Sequence, residues 1–305
     1  MSFDGCREIY INPYTDFGFK KLFGTDLNKD LLISFINALL EGREHIEDLT
    51  YLNTEHLGIR EMDRKAVFDV YCENDKGEKI LIEMQKGEQQ FFKDRSLYYA
   101  TFPIKDQAEK GRGWNYELKA VYVIGILNFT LDDKHPDYYR REVKLMDTKL
   151  KEVFYDKLTF IYLEMPKFNK GEDELKTLFD KWLFVLKNLG RLQERSKALQ
   201  ERIFTKLFAA AEIAKFSQEE YYAYEESLKV YRDWFSVIQT AEKKGMTKGR
   251  KEGLEEGRKE GLEEGLKKGR QEGLLIVARN LKRQHLSAED IAAATGLSKE
   301  EIEAL

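Results

Sequence analysis

Apolar residues recur at helical spacing early in the chain. Leu31, Leu32, Phe35, Ile36, Leu39 and Leu40 of "NKDLLISFINALLEG" fall at i, i+3 and i+4 and predict a helix that ends at Gly42. Ahead of it, "NPYTDFGFKKLFG" places Phe17, Leu22 and Phe23 behind a candidate N-cap, Thr15, with Gly24 as the stop. The helical period is then lost. Strand-like segments fall at 49–53, 66–73 and 79–85, and a helical, aromatic stretch follows from Phe91 to near Lys110, with Pro103 expected to kink it. "LKAVYVIGILNF", β-branched and apolar on both faces, predicts a central strand, and "EVKLMD" and "LTFIYLEM" complete the set. After Pro166 the pattern is helical again, through "LKTLFDKWLFVLKNL", "ALQERIFTKLFAAAEIAKF" and a segment capped by Ser217 that runs toward Thr240. Helices, then strands, then helices predict an α+β fold: a mixed sheet flanked by helices, with a helical C-terminal extension.

The segment 244–273 follows a different rule. It places glycine at every fourth position with charges between, as in "GRKEGLEEGRKEGLEEG". Each interior glycine costs roughly 1 kcal/mol of helix stability relative to alanine. A period of four also drifts about 40° per repeat against 3.6 residues per turn, so no fixed apolar face forms. A charged linker or weak helix is expected, with close helix packing through small residues as the sharper alternative. Order returns in 274–305: "LLIVARNLKRQ" is amphipathic, "SAEDIAAATG" runs from a Ser cap to Gly296, and "SKEEIEAL" carries a capping box from Ser298 to Glu301. The rhythm is helix–turn–helix-like, but the last helix has room for barely two turns, so DNA reading competes with a docking or assembly role. The expected divisions are 1–165, a strand-rich domain; 166–243, helices packed on it; 244–273; and 274–305.

Composition narrows the function classes. The 305 residues are 35% charged, while 19 Phe and 16 Tyr argue for a substantial core. A formal net charge of −4 makes no global electrostatic case for nucleic acid, so any such binding must come from a local basic surface. Cys6 and Cys72 lie far apart and the four histidines are scattered, so neither a disulfide framework nor a zinc site is expected. With no leader-like N-terminus and no long apolar run, a cytoplasmic location and no membrane contact are expected.

The chemistry concentrates in "AVFDVYCENDKGEKILIEMQK", residues 66–86. Glu83 and Gln85 interrupt an otherwise apolar strand, and burying a carboxylate without a partner costs several kcal/mol. "DKG" at 75–77 predicts a turn. If the hairpin centres on Lys76, Asp69 faces Glu83 and Val67 faces Gln85, all on one side of the sheet. Two carboxylates set opposite each other repel unless something positive lies between them. A hard divalent cation on Asp69 and Glu83, with waters completing an octahedron, supplies it.

An Asp…Glu-x-Gln set on adjacent strands after an N-terminal helix resembles the PD-(D/E)XK nuclease superfamily. In detail the chain is similar to the bacterial recombination-promoting nuclease/transposase family. The likeness rests on "TDFGFKKLFG", "DRKAVFDVYCENDKGEKILIEMQK", "FFKDRSLYYATFPIKDQAEKG", "YVIGILNF", "VFYDKLTFIYLEMPKF" and the glycine repeat. It implies a nuclease-like domain at 1–165 and a Mg²⁺-dependent endonuclease acting on DNA and leaving 5′-phosphates, with Mn²⁺ as a substitute. Asp69 and Glu83 are implied as metal ligands, and Gln85 as the variant of the superfamily's lysine. Gln85 carries no charge but hydrogen-bonds a water or a phosphate oxygen. Arg95, Lys65 and Lys86 are candidate DNA contacts, though Lys86 points to the face opposite Gln85. For Arg95 a surface ion pair with Asp94 or Glu88 is the plainer account. Asp16 is a candidate auxiliary acid, with an i, i+4 pair to Lys20 as its simpler explanation. The competing reading is a catalytically silent DNA-binding or assembly protein on the same fold. A homo-oligomer is left open. DDE-type strand transfer is disfavoured, because no third downstream acid stands out.

Overall fold

The computed structural model describes residues 8–42, 45–56, 66–108 and 115–305. Two helices open it, α1 (Asp16–Phe23) and α2 (Lys29–Leu40). Thr15 caps α1 by accepting from Gly18 N–H at 3.0 Å. α2 ends where Glu41 and Gly42 both take left-handed backbone angles, φ 52° and 76°, which for Gly42 carries no Cβ penalty.

Six strands follow in one mixed sheet: β1 (Leu49–Tyr51), β4 (Val70–Asn74), β5 (Lys79–Gln85), β6 (Val121–Leu127), β7 (Arg140–Met146) and β8 (Val153–Glu164). Their spatial order is β1-β4-β5-β6-β8-β7. β5, β6 and β8 run parallel and the outer pairings are antiparallel. β6, the apolar strand expected at the centre, lies between β5 and β8. A second, two-stranded sheet joins β2 (Glu55–His56) to β3 (Ala66–Val67).

Helices cover both faces. Ile80, Ile82, Met84, Ile124, Ile126, Ile161 and Leu163 point into the larger core with α1, α2, α4 (Leu178–Asn188) and α5 (Arg202–Ala211). Its centre is Trp182, 0% exposed, ringed by Phe23, Phe35 and Phe204 at 5.1–5.8 Å. On the opposite face α3 (Phe92–Asp106) lays Phe92, Tyr99, Ala100 and Phe102 over Tyr71, Leu81, Val123 and Tyr162. Pro103 sits buried within α3.

α6 (Gln218–Arg283) begins at the expected Ser217 cap but does not stop near Thr240; it runs helical through the whole glycine repeat. Backbone bonding survives the repeat because the intervening residues are good helix formers, helped by i, i+4 pairs such as Lys268–Glu264 at 2.6 Å. A Cβ built on any glycine from Gly245 to Gly273 meets nothing within 4 Å among the described residues. Among the described residues of its own unit, no close packing explains the repeat. The chain divides into two compact units, residues 1–233 and 234–305. Within the second, α7 (Ala288–Thr295) and α8 (Lys299–Glu303) close a small core of Ala278, Ile291, Leu297 and Ile302 with the end of α6. Lys282 donates to the carbonyls of Ile302 and Glu303, so its ammonium caps the C-terminus of α8.

Candidate active site

The β4–β5 hairpin turns at Asp75–Gly77, with Gly77 at φ 80°. Its pairs run from Glu73↔Lys79 to Val70↔Ile82, the register centred on Lys76. There the ladder ends: Phe68 and Asp69 form a bend between β3 and β4, so Asp69 is not a strand residue. Asn74 N–H donates to Glu78 O at 3.1 Å. Alternation of antiparallel bonds would then join Phe68 to Met84 next beyond Val70–Ile82. Instead the Asp69 carboxylate takes the Met84 N–H, at 2.7 Å. One oxygen of Asp69 thus replaces a ladder carbonyl, a structural task beside any role of its charge.

Beyond the bend, Asp69 opens on a cleft of about 820 Å³ that is also lined by Asp16, Lys20 and Lys21 of α1, Lys86, and Glu220 and Ser227 of α6. Asp16 does pair with Lys20, at 3.0 Å, and it also lies close enough to Asp69 to act on its charge. Burial pushes the Asp69 pKa up; the Met84 N–H opposes this, Asp16 adds to it, and Lys20 and Lys86 oppose it. The net shift is upward. Lys86 therefore shares the Asp69 cleft. Lys65 lies outside the described residues.

Glu83 and Gln85 point to the α3 side. Gln85 Nε2 donates to Glu83 Oε2 at 2.8 Å, and Arg95 Nη2 donates to Gln85 Oε1 at 2.6 Å, 3.8 Å from Glu83. Arg95 also holds Gln89 and lies over the rings of Phe92 and Tyr99, 5.9 and 5.6 Å from their centroids. It turns inward instead of pairing with Asp94 or Glu88. Burial raises the Glu83 pKa to about 7; Arg95 and Gln85 oppose the rise and the charge of Asp69 adds to it. Glu83 thus feels the charge of Asp69 although the two line different walls.

Gly125 pairs with Glu83 across β5–β6. A Cβ there would lie 3.0 Å from Tyr162 and 3.6 Å from Phe92, so glycine lets these rings close beneath the carboxylate. Tyr162 hydroxyl is 2.8 Å from Ser96. No motif in the sequence marks Gly125, Ser96, Tyr99 or Tyr162. The aromatic run of α3 was visible, but which ring reaches β5 depends on how the helix docks.

The donor set is all oxygen, which suits a hard divalent ion. Among the described residues no group of three or more His, Cys, Asp and Glu is placed to cage an ion. Two carboxylates, one or both with water, fit a cation such as Mg²⁺, which keeps much of its hydration. Burial is the main cause of the upward shift of both carboxyls, and a bound cation would oppose it by favouring the charged forms.

A family model described as PD-(D/E)XK nuclease family transposase matches residues 13–241, taking in α1, the hairpin and the first turns of α6. No curated protein and no solved structure matches the chain.

Proposed function

The chain belongs to the PD-(D/E)XK nuclease family transposases, and from that premise we propose that it is a Mg²⁺-dependent DNA endonuclease acting in recombination or element mobility. The observation that carries this reading is the pair of part-buried carboxyls at the open end of the hairpin, Asp69 held by the Met84 N–H and Glu83 by Gln85 beside Arg95. Asp69 and Glu83 would hold the ion, with Asp16 as auxiliary acid from α1. Mg²⁺, or Mn²⁺ in its place, supplies polarisation of the scissile phosphate and a lowered pKa for a bound water.

The residues around the carboxylates do the positioning. Gln85 carries no charge, and both ends of its amide are engaged, one with Glu83 and one with Arg95. Its task is to orient these two groups. Arg95 brings the permanent charge that the amide lacks, and its buried Nε–H has no acceptor among the described residues. We assign to it the contact with a phosphate oxygen. Of the lysines that line the Asp69 cleft, Lys20 pairs with Asp16 and Lys21 with Glu220, and we assign to Lys86 the contact with the DNA backbone there.

The test is plasmid cleavage in Mg²⁺ by the wild type, Asp69→Asn and Glu83→Gln. Both substitutions keep shape and hydrogen bonding while removing charge, and each is expected to lower the rate by about 100-fold or more. Unchanged cleavage in either variant overturns the assignment. A wild type that binds DNA without cutting it in Mg²⁺ or Mn²⁺ supports the silent reading instead.

A further inference from the structure

β7 ends the sheet, and its exposure is inverted. The charged side chains of Arg140, Arg141, Glu142 and Lys144 are only 17–27% exposed. Val143, Leu145 and Met146 between and beyond them are near half exposed; Leu150, Val153 and Phe154 at the tip of the hairpin are more so, Phe154 at 81%. An edge strand guarded against pairing shows the reverse, with charges outward and apolar groups covered. The other edge of the sheet, β1, offers three residues.

The backbone polarity of this edge is readable. Glu164 N–H donates to Tyr139 O at 2.7 Å, in the register that carries Arg140↔Leu163 to Lys144↔Thr159. Hydrogen-bonded pairs alternate in an antiparallel ladder. Arg141 and Val143 therefore turn their N–H and C=O groups toward β8, and Arg140, Glu142 and Lys144 turn theirs outward.

We propose that β7 is a dimerisation edge: two copies of the chain pair their β7 strands antiparallel about a two-fold axis at Val143, joining two six-stranded sheets. In that register Glu142 of each copy lies opposite Lys144 of the other, both at outward-bonding positions, and Val143 meets Val143 of the second copy. Shifting the axis to Glu142 sets Glu on Glu and Arg140 on Lys144; shifting it to Lys144 sets Lys on Lys; an axis at Arg141 brings two guanidinium groups face to face. Every one of these axes keeps backbone parity, and of the four only that at Val143 sets no like charges opposite each other. A row that complements itself is what a two-fold contact with a second copy requires, and an unrelated partner has no need of it. Glu142 already draws Arg140 and Lys144 of its own strand, each at 3.6 Å, so the three charges share one face of β7, where the row of a second copy would lie beside them.

The experiment uses the full chain with charge reversals at the edge, with circular dichroism and thermal melting to show that each variant is folded. Glu142→Lys and Lys144→Glu each replace two attractive cross-strand pairs with two repulsive ones. Each is expected to raise the dimer dissociation constant by about tenfold or more. Mixing the two variants restores complementarity at both pairs, so a heterodimer is expected where neither variant dimerises alone; sedimentation or light scattering reads this. A wild type that stays monomeric at every concentration overturns the proposal. So do folded variants that dimerise as wild type does, because the contact then lies elsewhere, and so does a mixture that fails to associate.

Discussion

Asp69 has two duties, and they respond differently to substitution. Its charge is proposed for the metal; its oxygen accepts the Met84 N–H at 2.7 Å. From pairing alone, deleting the carboxylate should relieve repulsion across the hairpin, but the structure adds an orphaned backbone donor. Asp69→Ala is therefore expected to lower stability by about 1–3 kcal/mol in denaturant unfolding, while Asp69→Asn, which keeps an acceptor, stays near wild type. Equal stability of the two variants would show that a water replaces the oxygen. Glu83 predicts a pH dependence for the metal-free protein. Its folded pKa, about 7, lies above the ordinary carboxyl value of 4.5, so the folded state binds more protons than the unfolded state between these values. Stability contributed this way is present at low pH and is lost as pH rises toward 7, by up to roughly 3 kcal/mol. Melting of wild type against Glu83→Gln from pH 4.5 to 8 reads it; the variant should lose this slope.

At the scale of elements, Glu164 repeats the logic that pointed to Glu83. It closes the apolar strand β8 and is 0% exposed. It binds Arg141 of β7, Lys167 at 2.8 Å and the Leu131 N–H at 2.8 Å, and Arg141 reaches Asp132 at 2.9 Å. Burial raises its pKa, but the bonds from Lys167, Arg141 and Leu131 outweigh that and hold it below the usual range. This cluster ties β7, β8 and the loop between β6 and β7 together. Arg141→Ala leaves a buried carboxylate short of one cation and is expected to cost about 3 kcal/mol or more in unfolding free energy. A loss under about 1 kcal/mol would mean that Lys167 alone suffices. The same signal, a carboxylate at the end of an apolar run, was present in "LTFIYLEM"; its cation, separated by 23 residues in β7, was not readable.

Across the whole chain, the start of α6 belongs to the first unit. Tyr224 and Leu228 are buried in the main core. The Tyr224 hydroxyl accepts from Asn12 N–H and donates to Glu8, and Ser227 accepts from Phe17 N–H. These contacts set α1, and with it Asp16, against the cleft. A chain ending at Thr240 is expected to fold and, on the proposed mechanism, to cut DNA. One ending at Ser217 loses the clamp and should be insoluble or melt well below wild type. Comparing soluble yield, melting and cleavage of both checks this. An inactive, insoluble 1–240 fragment would show that the remainder of α6 or the terminal unit supports the core. Weaker DNA binding by that fragment, uniform across sequences and with a smaller salt slope, would assign phosphate contacts to the tail, with Arg279 and Arg283 as candidates, because Lys282 is held by α8.

The class of fold, the helices and their caps, the central strand and the hairpin register all follow from local rules. Periodicity, turn chemistry and the cost of burying a lone carboxylate act within a few residues of one another, so Thr15, Ser217, Lys76 as the hairpin centre and Glu83 stand out in the chain itself. Other features depended on how distant elements dock. The bend that hands the Met84 N–H to Asp69 arises where the chain passes from the β2–β3 sheet into β4. The inward turn of Arg95 onto Gln85 follows from how α3 lies on β5. The shared cleft of Lys86 and Asp69 needs α1 and α6 as walls. Each of these joins groups far apart in sequence through packing, and no local pattern encodes a neighbour that only the assembled core brings near.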